Sequence, residues 1–167
     1  CARLYTGPCY QKYAAVLRSA HETSPPFFKE QFEAMCKGNW YQTTIHVINS
    51  AVVKLSKLTT ARKLYRGLAN TTLPDELWLP DGYNVRGGVE LSFQSATENR
   101  RVAFDYARGK GADKAAIVFE LQQGLVNRGA DLSWCSQYPH EHEVLFPPLS
   151  SIEIRGTRIE SNVLVLE

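Results

Sequence analysis

Two glutamates near the end of the chain, Glu141 and Glu143, have the type and spacing of a pair of catalytic carboxylates. Pro139 and Pro147 flank them, which predicts a loop that feeds a short strand. Alternate side chains of a strand share a face, so the two carboxylates would lie roughly 7 Å apart, at about 3.3 Å rise per residue. A solvated acidic edge is the alternative. The apolar run that follows, and the preceding loop with Trp, Gln, Tyr and His, would let these groups line a site.

A second candidate is Arg66, in the short alternating stretch 63–68. As a strand, this stretch places Leu64, Arg66 and Leu68 on one face, which directs the guanidinium toward the apolar side. An inward arginine must be paired or bind an anion, and its planar fork suits a phosphate. Gly67, directly after it, would let a ligand approach the backbone closely. A surface arginine in a basic stretch is the other interpretation.

The third candidate is Ser95, within a strand predicted over 89–98 that turns into a helix ending at Gly109. Together with Glu98 it matches a capping box, in which the hydroxyl stabilises a helix start by about 1 kcal/mol. A junction between a strand and a helix also fixes a hydroxyl in a cleft. Capping and function therefore do not exclude each other.

Apolar periodicity predicts three helices in the first sixty residues, each with a stripe that we interpret as a packing face. The stripes are Tyr10, Tyr13, Ala14 and Leu17; Phe28, Phe32, Met35 and Cys36; and Ile45, Ile48, Val52, Leu55 and Leu58. A fourth stripe, in the helix before Gly109, is Val102, Ala103, Tyr106 and Ala107.

In the last third of the chain, short apolar stretches predict strands at 115–121, 125–128, 144–146, 152–159 and 163–166. Parallel crossovers would need helices between these strands, and the chain leaves no room for them after Gly109. The sheets should therefore be largely antiparallel. The sequence predicts an α+β fold in a single domain, residues 1–167, with an N-terminal helical lobe packed against the sheets.

Composition excludes some functions and leaves the compartment open. The net charge of +2 is too small to indicate nucleic acid or a membrane surface as a partner. No apolar run approaches the roughly 20 residues of a membrane span. Four cysteines lack metal-site spacing, so we expect no metal, and two disulfides are possible but not required. Because the sequence begins with Cys1, we expect a processed or excised piece, and cytoplasmic and secreted locations both stay possible.

Three motifs occur in order: Tyr65-Arg66-Gly67, Phe93-Gln94-Ser95-Ala96-Thr97 and Glu141-His142-Glu143. Together they resemble the Arg, Ser and Glu-x-Glu motifs of the arginine-specific mono-ADP-ribosyltransferases, which include vertebrate ecto-enzymes and cholera-toxin-like bacterial toxins. Leu4-Tyr5-Thr6-Gly7-Pro8 resembles the start of that domain. The resemblance implies two mostly antiparallel β-sheets that form an NAD-binding cleft. One departure is Ala96, since the family usually has Thr there, so any role for that hydroxyl is absent.

The resemblance also implies a role for each motif in transferring ADP-ribose from NAD, the cosubstrate, to an arginine of an acceptor protein. Glu143 would stabilise the oxocarbenium-like ribose, as in glycoside cleavage. Arg66 would hold the pyrophosphate, Gly67 would contact the nicotinamide amide, and Ser95 would position Glu143 and the ribose. Glu141 would receive the acceptor guanidinium and take its proton.

The remaining site residues implied by the resemblance flank these motifs. Thr97 is assigned to the cofactor site, and Gln137 and Tyr138 are assigned to the acceptor, in a loop that also contains His140.

Three alternatives stay open. An NAD glycohydrolase, with water as acceptor, would need Arg66, Ser95 and Glu143 but not Glu141. A catalytically silent NAD-binding module would keep the fold, although such a module would more often have lost one motif. An inverting glycosidase could use two carboxylates at this spacing, but it would give Arg66 nothing to do.

Overall fold

The computed structural model describes residues 1–22, 24–109, 116–124 and 126–167. Its helices are α1 (Ala2–Leu4), α2 (Tyr10–Ser19), α3 (Pro26–Cys36), α4 (Gln42–Ser56) and α5 (Arg100–Arg108). The three predicted N-terminal helices are confirmed as α2 to α4. Proline suits the first position of α3 because its ring presets the helical φ angle. That helix ends where Lys37 adopts a left-handed conformation, at φ 50°. Among the described residues, no helix has the length and apolarity that crossing a bilayer requires.

Nine strands follow the N-terminal helices in the described part of the chain. They are β1 (Lys63–Leu68), β2 (Gly87–Glu90), β3 (Gln94–Thr97), β4 (Ala116–Gln122), β5 (Ala130–Asp131), β6 (Glu143–Phe146), β7 (Ser150–Glu153), β8 (Thr157–Glu160) and β9 (Val163–Leu166). Seven form a sheet in the order β5-β6-β3-β1-β4-β9-β8, and β2 pairs with β7 in a second sheet. All pairs are antiparallel except β4 with β9. The fold is α+β, as predicted.

The central strands β6, β3 and β1 lie side by side, which brings the three sequence motifs together. Thr97 lies opposite Glu143 in the β3–β6 ladder and opposite Tyr65 in the β1–β3 ladder. The N-terminal helices pack on one side through Tyr5, Tyr13, Ile48, Val52, Phe93, Ala130, Leu132 and Leu145. Helix α5 packs elsewhere on the sheet through Ala103, Phe104, Ala107, Ala116, Val118, Val163 and Val165. The motifs therefore lie where both helical layers meet the sheet.

Two predicted strands are each divided in two. The strand expected over 89–98 separates into β2, which pairs with β7, and β3, which pairs with β1 and β6. Between them, the amide of Ser92 donates to the Glu90 carboxylate at 3.1 Å. The strand expected over 152–159 separates into β7 and β8. Here the amides of Arg155 and Gly156 bond the carbonyl of Glu167 instead of a neighbouring strand.

The short strand predicted over 125–128 is wrong where the structure describes it. Val126 and Asn127 form a bend, closed by a hydrogen bond from the Arg128 amide to the Val126 carbonyl, and β5 begins at Ala130. The first residue of that prediction, 125, and the first of the 115–121 strand lie outside the described residues.

The capping box predicted for Ser95 and Glu98 is also wrong. Helix α5 begins at Arg100, and Asn99 caps it by accepting a hydrogen bond from the Arg101 amide at 3.0 Å. Asparagine caps as well as serine does, because its side-chain oxygen reaches the same free amides. Ser95 belongs to β3, which leaves its hydroxyl available for another partner.

Candidate active site

Glu143 is the most deeply buried carboxylate of the candidate site. It is the first residue of β6 and is 6% exposed. The hydroxyl of Ser95, on the neighbouring strand β3, donates to Glu143 Oε1 at 2.7 Å. The two residues are diagonal neighbours in the ladder, because Ser95 lies opposite Leu145. Strand pairing therefore fixes both ends of this hydrogen bond.

Burial raises the pKa of Glu143 above its ordinary value. The hydrogen bond from Ser95 opposes that rise, whereas the nearby charge of Glu141 adds to it. A carboxylate kept from water in this way interacts strongly with any positive charge that develops beside it. This is the property required of a group that stabilises an oxocarbenium-like transition state.

Glu141 lies close to Glu143, but the strand predicted for it is wrong. It ends a short 3-10 turn, Pro139–Glu141, and His142 then adopts a left-handed conformation at φ 47°. The hydroxyl of Thr97 donates to the Glu141 carbonyl at 2.5 Å and holds this turn against β3. Glu141 and Glu143 nevertheless line the same cavity, so the change of backbone keeps both carboxylates at one site.

Arg66 lies in β1 with only 17% of its side chain exposed. Its Nη1 donates to the Ser95 carbonyl at 3.4 Å, and its Nη2 donates to Glu90 at 3.5 Å. Burial lowers the pKa of Arg66, and the adjacent Glu90 carboxylate opposes that change. A guanidinium stays protonated in proteins, so Arg66 places a fixed positive charge in the site.

Gly67 has a packing reason to be glycine. A Cβ atom there would collide with the carbonyl oxygen of Ala103 in α5. Its backbone also lines the cavity. The glycine thus brings helix α5 against β1 at the edge of the site, whether or not a ligand contacts its backbone.

All of these groups surround a cavity of about 600 Å³. Its described lining includes Arg18, Arg66, Gly67, Ser95, Thr97, Tyr138, Glu141 and Glu143. Arg18 and Arg66 supply positive charge, and Glu141 and Glu143 supply negative charge. The cavity therefore offers partners both to an anionic group and to a cationic or electron-poor group of a ligand.

No protein-family model and no curated protein matches the sequence. Solved structures do match the fold. ADP-ribosyltransferase HopU1 of Pseudomonas syringae pv. Tomato DC3000 superimposes with a TM-score of 0.67 at 24% identity, over 95% of this chain and 63% of that chain. ADP-ribosyltransferase Vis in complex with agmatine, from Vibrio splendidus, gives 0.65 at 21% identity, over 99% of this chain and 69% of that chain.

Exoenzyme S from Pseudomonas aeruginosa, in complex with human 14-3-3 protein beta and bound to carba-NAD, gives a TM-score of 0.64 at 17% identity. That match covers 98% of this chain and 68% of the exoenzyme. The chain has the ADP-ribosyltransferase fold. It spans about two thirds of the length of these proteins.

Within this ADP-ribosyltransferase fold, the loop before Glu141 differs from the arrangement expected from the sequence. Tyr138 lines the cavity. The side-chain Nε2 of Gln137 instead donates to the Arg3 carbonyl at 2.9 Å. The backbone amide of Gln137 donates to Thr6 Oγ1 at 2.9 Å. His140 is exposed, with its ring 6.3 Å from that of Tyr138. Gln137 therefore ties the loop to the N-terminal segment.

Arg18, Tyr106 and Glu90 are among the residues at this site that sequence reasoning did not identify. Arg18 and Tyr106 line the cavity. The helical spacing of Tyr106 indicates a packing stripe, but this residue is 61% exposed. Glu90 contacts both Arg18 and Arg66. A helical signal for Arg18 was present, because Tyr10, Ala14 and Arg18 recur every four residues on α2 and all three line the cavity.

Proposed function

We propose that this chain is a mono-ADP-ribosyltransferase that moves ADP-ribose from NAD to arginine side chains of proteins and releases nicotinamide. The observation that carries the proposal is the buried Glu143, held by Ser95 in a cavity that also contains Arg66. This combination suits a ligand with a phosphate group at one end and a cleavable, positively charged glycosidic bond at the other. NAD has both features.

In the first step, the bond between the ribose C1′ and the nicotinamide nitrogen breaks. Nicotinamide leaves with the bonding electron pair and becomes neutral, while positive charge develops on the ribose. The carboxylate of Glu143 stabilises that charge more in the transition state than in the ground state. Arg66 holds the phosphates through a charge-assisted, planar contact, and Ser95 keeps Glu143 in position.

In the second step, a lone pair of the acceptor guanidino nitrogen forms the new bond to C1′. The acceptor is protonated at neutral pH and must lose one proton during transfer. Glu141 accepts that proton and orients the guanidinium by charge-assisted hydrogen bonds. The location of Glu141 at the same cavity as Glu143 supports this division of roles.

The comparisons support the two substrates separately. Vis is solved in complex with agmatine, a small guanidine compound, and exoenzyme S is solved bound to carba-NAD, an analogue of NAD. For this chain, these ligands become candidates for the acceptor and the donor. Tyr138 lies beside Glu141 in the cavity lining and would contact the acceptor.

The second candidate function is NAD hydrolysis, with water as acceptor. The burial of Glu143 favours the release of nicotinamide in either case, and Glu141 is what favours transfer. A catalytically silent NAD-binding module would keep the cavity but release no nicotinamide.

The test is incubation of the chain with NAD, with and without agmatine, followed by quantification of nicotinamide and of ADP-ribosylagmatine. We expect both products in the presence of agmatine. Nicotinamide without the adduct would identify a hydrolase instead. Binding of carba-NAD with no nicotinamide release at all would identify the silent module.

A further inference from the structure

Three side chains from three different elements form a compact ionic cluster beside the cavity. Arg18 of α2 contacts Glu90 of β2 through Nε and Nη2, at 3.3 Å and 3.2 Å from Oε1. Its Nη2 is also 3.2 Å from Oε2. Arg66 of β1 contacts the same Oε2 through Nη2, at 3.5 Å. Glu90 therefore bridges two guanidinium groups.

Glu90 is itself held firmly. The amide and the hydroxyl of Ser92 donate to Glu90 Oε1 at 3.1 Å and 2.9 Å. Burial alone would raise the pKa of Glu90, but Arg18, Arg66 and the bonds from Ser92 hold it below its ordinary value. The carboxylate is thus ionised at neutral pH.

The position of the cluster gives its members different tasks. Arg18 and Arg66 line the cavity, whereas Glu90 is not among the described residues that do so. The two arginines are therefore placed to contact a ligand in the cavity, and the carboxylate of Glu90 pairs with them. Two positive charges and one negative charge give the cluster itself a net charge of +1, apart from the carboxylates of Glu141 and Glu143, which also line the cavity. That charge attracts an anion, and Glu90 pairs with both partly buried guanidinium groups.

We propose that Glu90 is a positioning residue that holds Arg18 and Arg66 together as a two-guanidinium receptor for the phosphate groups of the ligand. Adjacent phosphates carry several acceptor oxygens, so two planar forks at a fixed separation recognise them better than one. The proposal rests on the proposed function for the identity of the ligand as NAD. Recognition of a diphosphate can be tested by itself.

A competing role for Glu90 predicts the opposite result. If Glu90 only occupied the anion site until a ligand displaced it, its removal would strengthen phosphate binding. Its hydrogen bonds from Ser92 and its location outside the described lining favour the positioning role.

The experiment uses ADP, which has the phosphates but no bond to nicotinamide, and measures its affinity by titration calorimetry. Glu90→Gln should weaken ADP binding by about tenfold or more, in the range of a lost charge-assisted hydrogen bond. Arg18→Lys should also weaken it, because a lysine keeps the charge but not the fork. Adenosine, which has no phosphate, should bind equally to all variants.

The matched control is Glu98→Gln. Glu98 also pairs with an arginine, Arg62, at 2.6 Å, but neither is in the described lining of this cavity. This variant should bind ADP like the parent. Glu90→Gln should weaken ADP binding less in the Arg18→Ala background than in the parent, because Glu90 acts partly through Arg18 and partly through Arg66.

Unchanged or tighter ADP binding in Glu90→Gln would overturn the proposal. Equal loss of ADP and adenosine binding with a lower melting temperature would also overturn it, by showing a structural role only. If Glu90→Gln fails to fold, unchanged ADP affinity in Arg18→Lys would overturn the two-guanidinium receptor instead. If Glu90→Gln weakens ADP binding but the parent protein does not cleave NAD, the proposed function is wrong and the two-guanidinium receptor is still supported.

Discussion

The hydroxyl of Ser95 donates to Glu143 across two adjacent antiparallel strands, at 2.7 Å. Both residues are fixed by the same ladder, so neither side chain needs a loop to hold it. The hydrogen bond stabilises the ionised form of a carboxylate whose burial favours the protonated form. The balance between these two effects determines the pH range in which Glu143 is charged.

Replacement of Ser95 by alanine should shift that balance. Without the donor, the pKa of Glu143 rises further, so the carboxylate is protonated over a wider acidic range. We expect the acidic limb of nicotinamide release to move to higher pH in Ser95→Ala. The measurement is the rate of nicotinamide release against pH for the parent and the variant. A uniform loss at every pH, with the limb unmoved, would contradict this role for Ser95.

Glu143→Gln should abolish nicotinamide release and leave the fold intact. The amide has the size of the carboxylate and can still accept from Ser95, but it lacks the charge that, in the proposed reaction, stabilises the oxocarbenium. The expected loss is about 10²-fold or more, as for removal of a pre-organised electrostatic contact. Steady-state turnover and circular dichroism check the two parts. Turnover within about tenfold of the parent would show that Glu143 is not the stabilising group.

The same variant should be more stable than the parent at neutral pH. Because the folded-state pKa of Glu143 is raised, its ionisation opposes folding as the pH rises through that pKa. At low pH the carboxyl is neutral in both states and the effect vanishes. We therefore expect the melting temperature of Glu143→Gln to exceed that of the parent near about pH 7 and to converge with it near about pH 4. Parallel melting curves across this range would argue against the raised pKa.

Arg66→Lys should weaken NAD binding even though the charge is retained. A lysine ammonium cannot reproduce the planar two-point contact with a phosphate, nor the simultaneous contacts with Ser95 and Glu90. Titration calorimetry with carba-NAD avoids turnover during the measurement. Arg62→Lys is the matched control, since Arg62 belongs to the same stretch of chain but is 57% exposed. Equal affinities in the parent and Arg66→Lys would mean that Arg66 is structural.

The convergence of Arg66, Ser95 and Glu143 was expected from the resemblance of the three motifs to those of the mono-ADP-ribosyltransferases. Alternation within each strand by itself predicts only which face each side chain shares. The backbone conformation of Glu141 was harder to predict, because Glu141 lies in a 3-10 turn that begins at Pro139 and is followed by a left-handed His142, instead of in a strand. Gln137 has a polar side chain in the right loop, but its partners Arg3 and Thr6 are more than 130 positions away.

The cluster of Arg18, Arg66 and Glu90 could not be predicted for the same reason. Arg18 and Glu90 are 72 positions apart, and no local pattern links a helix to a strand at that distance. Glu90 also lies in a stretch for which periodicity predicts a single strand, whereas the structure divides that stretch into β2 and β3, and Ser92 between them donates to Glu90.

Glu141→Gln should separate the two proposed steps. In the proposed reaction, Glu141 acts on the acceptor and Glu143 acts on NAD, although both line one cavity. A guanidinium is a poor nucleophile until it loses a proton, so transfer to agmatine should fall by about 10²-fold or more, the range for one general base. Water needs far less help against an oxocarbenium, so nicotinamide release without agmatine should change much less. The carbonyl that Thr97 holds is unaffected by the substitution, so the turn should keep its shape.

Both products are measured on the same samples, with and without agmatine, and Glu153→Gln serves as the control because Glu153 is exposed and lies outside the described lining of the cavity. Equal loss of transfer and hydrolysis would assign Glu141 to the NAD step. Equal retention of both would make it a surface charge. Either result would contradict transfer to arginine by the proposed route. Glu141 and Glu143 are the only carboxylates among the described residues that line the cavity, and the proposal assigns Glu143 to NAD, so Glu141 must take the proton of the acceptor guanidinium.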